Sequence, residues 1–279
     1  MPKSKRHHFV PRAHLARFGK DGRVAVRWRG KSGLIVSGAH NVAVKGGFYE
    51  TESGTDRASV EFEDRLARLE GLAEKVIRDS ISSEQAPDAD SEARLILATL
   101  MAVQLARTPE SRARLLFSRS VLDYAAGREV DFALMAEYLE KIHLGFTPRE
   151  NEVKGALIYV QELMDRNEVP TKTDAIIISL TGMREPTTAL LKKNWSMEIA
   201  RKPRLITSDA PVVLWRKQDA RNTFRGMGIK NAEEIRFPID AGHQLLLTQV
   251  LHSQFLGDGI SALPVVADQS AGLVGSAEQ

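Results

Sequence analysis

The segment from Ser91 to Arg107 constrains the fold most strongly, because apolar side chains occupy nearly the whole circumference of the helix that it predicts. A helix without a polar face is normally central and covered by other elements. Thr108 can cap a following helix and Pro109 can occupy its first turn, so the central helix is expected to end there. We therefore expect the chain to build its core around this segment.

Strand patterns stand at both ends of the chain, and helical periodicity fills the middle. Two short apolar runs, 24–28 and 34–36, predict a hairpin. Apolar spacing predicts further helices over 56–78, 109–126, 130–143, 148–167 and 186–193, and strands over 195–200, 204–207, 212–215, 235–239 and 244–250. The run Ile176–Leu180 has a strand-like composition but is too short to assign.

This order of elements predicts an α+β fold with a small N-terminal β segment, a central helical block and a C-terminal antiparallel or mixed β-sheet. We expect the N-terminal strands to join that sheet, since the opening segment alone is too small to bury a core. We expect a single domain over residues 1–269, made of a basic β-rich opening (1–55), a mainly helical part (56–194) and a β-rich part (195–269). Residues 270–279 are expected to be a flexible tail.

The composition excludes several kinds of site. The chain has no cysteine, which excludes disulfides, thiolate zinc sites, cysteine-ligated iron–sulfur clusters and a cysteine nucleophile. It has neither a glycine-rich phosphate loop nor a dinucleotide-binding fingerprint. Its longest mainly apolar stretch, 95–106, is too short to cross a bilayer, and no signal peptide is evident. We therefore expect a soluble, cytoplasmic protein without a membrane partner.

Positive charge is concentrated at the start of the chain. Residues 1–31 contain ten lysines and arginines against one acid, Asp21, whereas the whole chain has a net charge of only +3. A basic segment of this density attracts phosphate groups, which predicts nucleic acid or another phosphate-bearing ligand as a partner. The alternatives are that the segment partly neutralises an acidic body or is a solvated face.

His7 and His8 are the first candidate site residues. Adjacent side chains of an extended segment point to opposite sides, so one of the two is expected to face a given pocket. Histidine is suited to metal ligation and to proton transfer near neutral pH, although no recognised metal-binding spacing is present. Pro11 can begin a short helix that holds His14 and Arg17 on one face. The alternative is that the histidines are hydrogen-bonded structural residues.

Gln104 and Arg107 lie at the end of the central helix, three residues apart. A buried arginine needs a carboxylate, a phosphate or carbonyl groups around it, which makes Arg107 a candidate for binding a phosphate of the substrate. The alternative is that Arg107 satisfies the terminal carbonyl groups of its own helix.

Carboxylates supply the remaining candidates. Asp209 lies in the segment 208–211, which predicts a tight turn between strands, where a carboxylate can act as a metal ligand or general base. The alternative is that Asp209 only caps its own turn. Glu63 and Glu70 are seven residues apart and therefore share one helical face, where they could add carboxylates or form a solvated stripe.

Several short motifs occur together in a fixed order. They are His7-His8-Phe9-Val10-Pro11, Phe48-Tyr49, Leu69-Glu70, Gln104-Leu105-Ala106-Arg107-Thr108-Pro109, Trp195, Ser208-Asp209-Ala210-Pro211-Val212 and Phe237-Pro238. Together they resemble a bacterial family of unknown function with a His-His-x-Val-Pro opening and a late Ser-Asp-x-Pro-Val turn, over roughly residues 5–250. The resemblance assigns no activity to any residue. In the usual pattern of that family an aromatic residue often stands where this chain has His14.

Two hypotheses about function follow from these candidates, and they leave open whether the chain is an enzyme. The first is a metal-assisted phosphodiester hydrolase, similar to a nuclease, with a divalent metal as its cofactor. Its catalytic residues would be His7, His8 and Asp209, and its substrate-binding residues would be Arg12, Gln104 and Arg107.

The alternative is a non-catalytic module that binds nucleic acid or a protein through residues 1–31. A purely structural polar cluster of histidine, arginine and aspartate, attaching the N-terminal segment to the helical block, is the third interpretation.

Overall fold

The computed structural model describes residues 6–28, 30–49, 57–202, 204–217 and 228–249. The elements, in chain order, are β1 (Arg6–His8), α1 (Arg12–Ala16), β2 (Arg23–Val26), β3 (Ile35–Gly38), a 3₁₀ turn (Ala39–Asn41), β4 (Val44–Gly46), α2 (Arg57–Ser83), α3 (Glu92–Ala106), α4 (Pro109–Leu115), α5 (Phe117–Ala125), α6 (Phe132–Tyr138), a π-helical segment (Leu139–Leu144), α7 (Glu150–Asp165), α8 (Lys172–Thr181), α9 (Arg184–Leu191), β5 (Asn194–Ile199), β6 (Val213–Trp215), β7 (Glu234–Pro238) and β8 (His243–Thr248). This order confirms the predicted α+β class. The predicted tail at 270–279 lies outside the described residues.

Helix α3 occupies the centre of the helical block, as its apolar circumference predicts. Leu97 and Met101 are fully buried, and the helix packs against α2, α9, α4 and α8. Thr108 caps α4 by accepting a hydrogen bond from the backbone N–H of Ser111, and Pro109 is the first residue of that helix. The helix predicted over 109–126 is two helices, because the backbone leaves the helical conformation at Leu116.

Two regions have a structure that the sequence does not predict. The Ile176–Leu180 run lies in α8, whose first turn is closed by a capping box between Thr171 and Asp174. The segment 204–207 forms no strand, because the backbone N–H groups of Arg204 and Leu205 both bond to the carbonyl oxygen of Ala241.

The C-terminal sheet is antiparallel, with the strand order β5-β8-β7-β6. Phe237, Leu245 and Leu247 are buried from one face of this sheet and join the core that contains α3. A second apolar cluster lies apart from it and is built from α5, α6, the π-helical segment and α7, around Met135 and Val160. No described helix is long and apolar enough to cross a membrane.

The expectation that the N-terminal strands join the C-terminal sheet is wrong for the described strands. β1 pairs with β4, and β2 pairs with β3, so each forms a two-stranded antiparallel sheet of its own. The two β regions meet through side chains instead. The Arg17 guanidinium, just after α1, donates a hydrogen bond from Nε to the carbonyl oxygen of Ile239 at the end of β7 (2.6 Å). The small N-terminal core of Val10, Leu15, Val24 and Ala39 is thereby attached to the main body.

Candidate functional site

Helix α2 holds the N-terminal segment through three glutamates on one face. Glu63, Glu70 and Glu74 follow one another at seven and four residues, which places them along one side of an α-helix. Each faces a different basic side chain, and their partners are His7, Arg107 and Arg17. The stripe predicted from Glu63 and Glu70 is therefore a row of contacts with the N-terminal segment and the end of α3, rather than a solvated surface.

His7 is buried, with 4% of its surface exposed, and both of its ring nitrogens face protein groups. Its Nδ1 accepts a hydrogen bond from the backbone N–H of Tyr49 (3.4 Å), and its Nε2 lies 2.6 Å from Oε1 of Glu63. Because an N–H group can only donate, this contact places the ring proton of a neutral His7 on Nε2, towards the carboxylate. The geometry orients His7 between β4 and α2.

His8, the next residue of β1, is half-buried and has a different environment. Burial lowers the pKa of His8; Glu70 opposes this effect, and Arg107 and Arg6 add to it. The Nδ1 atom of His8 is buried without a hydrogen-bond partner among the described residues. The lowered pKa keeps His8 neutral at pH 7, and its buried Nδ1 is a polar atom for which the described residues provide no partner.

Arg107 is buried and uses all three of its guanidinium nitrogens within the protein. Nη1 donates to Oε1 of Glu70 (2.7 Å), Nε donates to the carbonyl oxygen of Phe9 (2.8 Å) and Nη2 donates to that of His8 (3.3 Å). These are the carboxylate and carbonyl partners that a buried arginine requires, although the carbonyls belong to the N-terminal segment and not to α3. Arg107 thus fixes the position of the two histidines.

A second arginine-centred contact joins α1 to the C-terminal sheet. The ring of His14 stacks on Phe237 at 5.3 Å between centroids and lies 5.2 Å from that of Phe18. Its Nδ1 faces Nη2 of Arg17 (3.4 Å) and its Nε2 faces Oγ1 of Thr207 (2.9 Å). Burial, reinforced by Arg17, lowers the pKa of His14 to about 3. His14 is thus a neutral aromatic ring packed among aromatic rings.

Gln104 lines a small cavity beside these contacts. It is 1% exposed, and neither its amide nitrogen nor its amide oxygen has a hydrogen-bond partner among the described residues. The cavity, of about 20 Å³, is also lined by His14, Arg17, Glu70 and Phe237, among others. A space of this size accommodates one or two water molecules. The predicted substrate-binding role of Gln104 stays a prediction.

Asp209 and Arg12 are exposed and have no described contact with the histidines. In the turn predicted at 208–211 the serine, rather than the aspartate, bonds to the backbone, since Oγ of Ser208 accepts from the N–H of Ala210 (3.1 Å). The structure thus brings together His7, His8 and Arg107, and it places Asp209 outside that cluster.

Three residues that take part in these contacts were not predicted as site residues: Tyr49, which contacts His7, and the pair of Arg17 and Glu74. The four-residue step from Glu70 to Glu74 is the signal that could have identified Glu74.

Among the described residues no group of three or more histidines, aspartates or glutamates is arranged to hold a metal ion. The divalent metal stays a prediction.

The hairpin of β2 and β3, with the turn that precedes it, carries a set of exposed cations. We call residues 20–38 the basic hairpin; its described cations are Lys20, Arg23, Arg27 and Lys31. All four are exposed, and none forms an ion pair within the described part of the chain. The base of the hairpin is anchored by Val24, which is 5% exposed, whereas every described residue from 27 to 36 is exposed.

A family described as "Protein of unknown function (DUF4238)" matches residues 6–260 of the chain. No curated protein and no solved structure matches it.

Proposed function

We propose that this chain, which belongs to the DUF4238 family, binds nucleic acid through the basic hairpin. The proposal rests on a difference between two sets of basic residues, those that pair within the protein and those that do not. Arg17 and Arg107 are engaged with glutamates and carbonyl groups, whereas Lys20, Arg23, Arg27 and Lys31 are exposed and have no ion-pair partner in the described part of the chain.

Electrostatics favours a phosphate-bearing polymer as the ligand of such a surface. Each lysine or arginine that contacts a phosphate releases condensed counterions, which supplies most of the affinity of non-specific nucleic-acid binding. Asp21 is the one acidic residue in the basic hairpin. Because Val24 fixes the base of the hairpin in the N-terminal core, the cations are presented by a folded element rather than by a free tail.

Binding is tested by fluorescence anisotropy with labelled single- and double-stranded DNA and RNA over a series of salt concentrations. We expect affinity to fall steeply with salt. In the double variant Arg23→Gln/Arg27→Gln, the slope of log K against log salt should become shallower by about 1.4 to 1.8, because two phosphate contacts are lost.

The matched control removes the same two charges from another surface. Lys154→Gln/Arg166→Gln alters Lys154 in α7 and Arg166, the residue that follows this helix; both are exposed, and α7 packs on α5 and α6. This control should keep the wild-type slope. Absence of binding at low salt, or an equal loss of affinity in the two double variants, would contradict the proposal.

Metal-assisted phosphodiester hydrolysis is a second candidate, and the observation that favours it is the ring nitrogen of His8 without a partner. The same oligonucleotides, incubated with Mg²⁺, Mn²⁺ or Zn²⁺ and with EDTA, test it directly. Metal-dependent shortening of the strands that is abolished in His8→Ala supports a hydrolase. Binding without cleavage under all these conditions supports the non-catalytic module.

A further inference from the structure

We infer that the basic hairpin takes unpaired nucleotides, with a base stacked on the indole ring of Trp28. This inference rests on the proposed function and specifies its substrate class as single-stranded nucleic acid. It follows from the shape of the hairpin tip and from the kinds of side chain found there.

The tip contains an exposed aromatic residue and, three residues later, an exposed cation. Trp28 is 56% exposed, and its carbonyl oxygen accepts a hydrogen bond from the N–H of Lys31 (3.1 Å), which closes a tight turn between the two residues. Gly30 and Gly33 have φ values of +74° and +96°, a conformation that favours glycine and lets the chain reverse within this short loop. Arg27 precedes the ring, so cations lie on both sides of Trp28 in the sequence.

The apolar surface of the tip is unusual for an element that contacts only water. Leu34, Ile35 and Val36 are 69%, 56% and 57% exposed, in addition to Trp28. Exposed apolar residues that form a group, rather than single ones, often mark a binding surface. An exposed, amphipathic ring with cations at nearby sequence positions is suited to a ligand with both π-faces and negative charges, and an unpaired nucleotide has both.

A duplex fits this surface less well. In double-stranded nucleic acid the base faces are covered by their neighbours, and a protein reaches the base edges, which it recognises through hydrogen-bond donors and acceptors. Within a stacked duplex the Trp28 ring therefore finds no free base face, and the hairpin would bind it through its cations alone. An indole ring instead stacks on the face of any base that is free of its neighbours, and Arg27 and Lys31 can then contact the flanking phosphates.

The test compares Trp28→Ala and Trp28→Phe with the wild-type protein, using 15-nucleotide single strands of DNA and RNA and a 15-base-pair DNA duplex. We expect the wild-type protein to bind the single strands more tightly. Trp28→Ala should weaken single-strand binding by about 5- to 150-fold, as for the loss of one stacked base, and change duplex binding little. Trp28→Phe should keep most of the affinity because it keeps an aromatic face.

A spectroscopic readout separates stacking from a structural role of the ring. Bound single strands should quench part of the tryptophan emission of the wild-type protein, and this part should be absent in Trp28→Phe. Trp215→Ala is the matched control, because Trp215 on β6 is 45% exposed and lies outside the basic hairpin. It should bind single strands like the wild type, and circular dichroism should show that each variant is folded.

The outcomes distinguish this inference from the proposed function. Salt-sensitive binding that is equal on single strands and duplex, or that is unchanged in Trp28→Ala, overturns the stacking inference and leaves nucleic-acid binding in place. No binding to any oligonucleotide overturns both. Binding to anionic lipid vesicles without binding to oligonucleotides also overturns both and assigns the tip to a membrane surface.

Discussion

At the scale of single residues, burial determines which polar groups of the N-terminal segment are available for chemistry. His7 and His14 are 4% and 3% exposed, and each has protein groups at both ring nitrogens. His8 and Gln104 differ, because each has a buried polar atom without a partner among the described residues. These two residues are therefore the ones from which a ligand role is still expected.

The buried amide of Gln104 makes a prediction about stability. Burying an amide without hydrogen bonds costs about 1–3 kcal/mol, so the nearly isosteric Gln104→Met should raise the free energy of unfolding by an amount of that order. Urea unfolding monitored by circular dichroism measures the change. A loss of stability would instead show that the amide has a partner, such as a water molecule in the adjoining cavity.

His14 predicts how stability depends on pH. Its pKa is lowered to about 3 in the folded protein, against about 6.5 in an unfolded chain. Below pH 6.5 the unfolded chain therefore takes up a proton that the folded protein does not, so stability is complete above pH 6.5 and falls as the pH falls towards 3. His14→Phe keeps an aromatic ring against Phe237 and removes this titration.

The measurement is urea unfolding of both proteins at pH 7.5, 6.5, 5.5 and 5.0. Between pH 7.5 and 5.0 the wild-type protein should lose about 2 kcal/mol more than His14→Phe. The other titrating groups are common to both proteins and cancel in the comparison. Parallel pH profiles for the two proteins would show that His14 is protonated in the folded state.

At the scale of elements, the sequence predicts features that depend on neighbouring residues, but it does not predict contacts between residues that lie far apart in the chain. The boundary between α3 and α4 was predicted because Thr108 and Pro109 act on their own backbone neighbours. The sequence does not assign the start of α8, because the Ile176–Leu180 run is short and its β-branched isoleucines favour strands; the capping box at the start of the helix and the burial of Ile176 override that preference.

For the candidate site, the sequence predicts the types of residue involved, but it does not predict which of them contact each other. Periodicity placed Glu63 and Glu70 on one face of a helix, but it could not pair them with His7 and Arg107, which lie 56 and 37 residues away. The position of Asp209 was equally inaccessible, since a turn motif does not specify which part of the body the turn faces. Partners of this kind depend on how whole elements pack, and no local pattern encodes that.

Arg107 links three elements, α3, α2 and β1, so its substitution should destabilise the protein. Arg107→Met removes the ion pair with Glu70 and leaves the carbonyl oxygens of His8 and Phe9 without these donors. We expect the free energy of unfolding to fall by about 3 kcal/mol, as is typical when one partner of a buried ion pair is removed. Arg114→Met, at an exposed pair within α4, should change it by less than about 0.5 kcal/mol. Similar effects of the two substitutions in urea unfolding would contradict the buried role of Arg107.

At the scale of the whole molecule, α2 acts as the element on which the other parts meet. Its glutamates contact the N-terminal segment and Arg107 at the end of α3, and its apolar face, with Ala73 and Ile77, joins the core shared with α3 and the C-terminal sheet. The cluster of α5, α6 and α7 has its own apolar core. The N-terminal segment and the α5–α7 cluster are therefore attached to the body through different contacts, and their local stabilities should respond to different substitutions.

Arg17 tests this division, because its guanidinium connects the end of α1 with Glu74 of α2, His14 and the Ile239 carbonyl beside the sheet. In Arg17→Met, amide hydrogen exchange should become faster over β1, α1 and the basic hairpin, and stay unchanged over α5 to α7, because only the first of these regions depends on that contact. Arg236→Met is the matched control: Arg236 contacts Glu198 and Glu234 within the sheet, so its loss should leave exchange in residues 6–49 unchanged. Equal acceleration over the whole chain in Arg17→Met would mean that the N-terminal segment unfolds only together with the rest of the protein, and that the basic hairpin is as stable as the core that supports it.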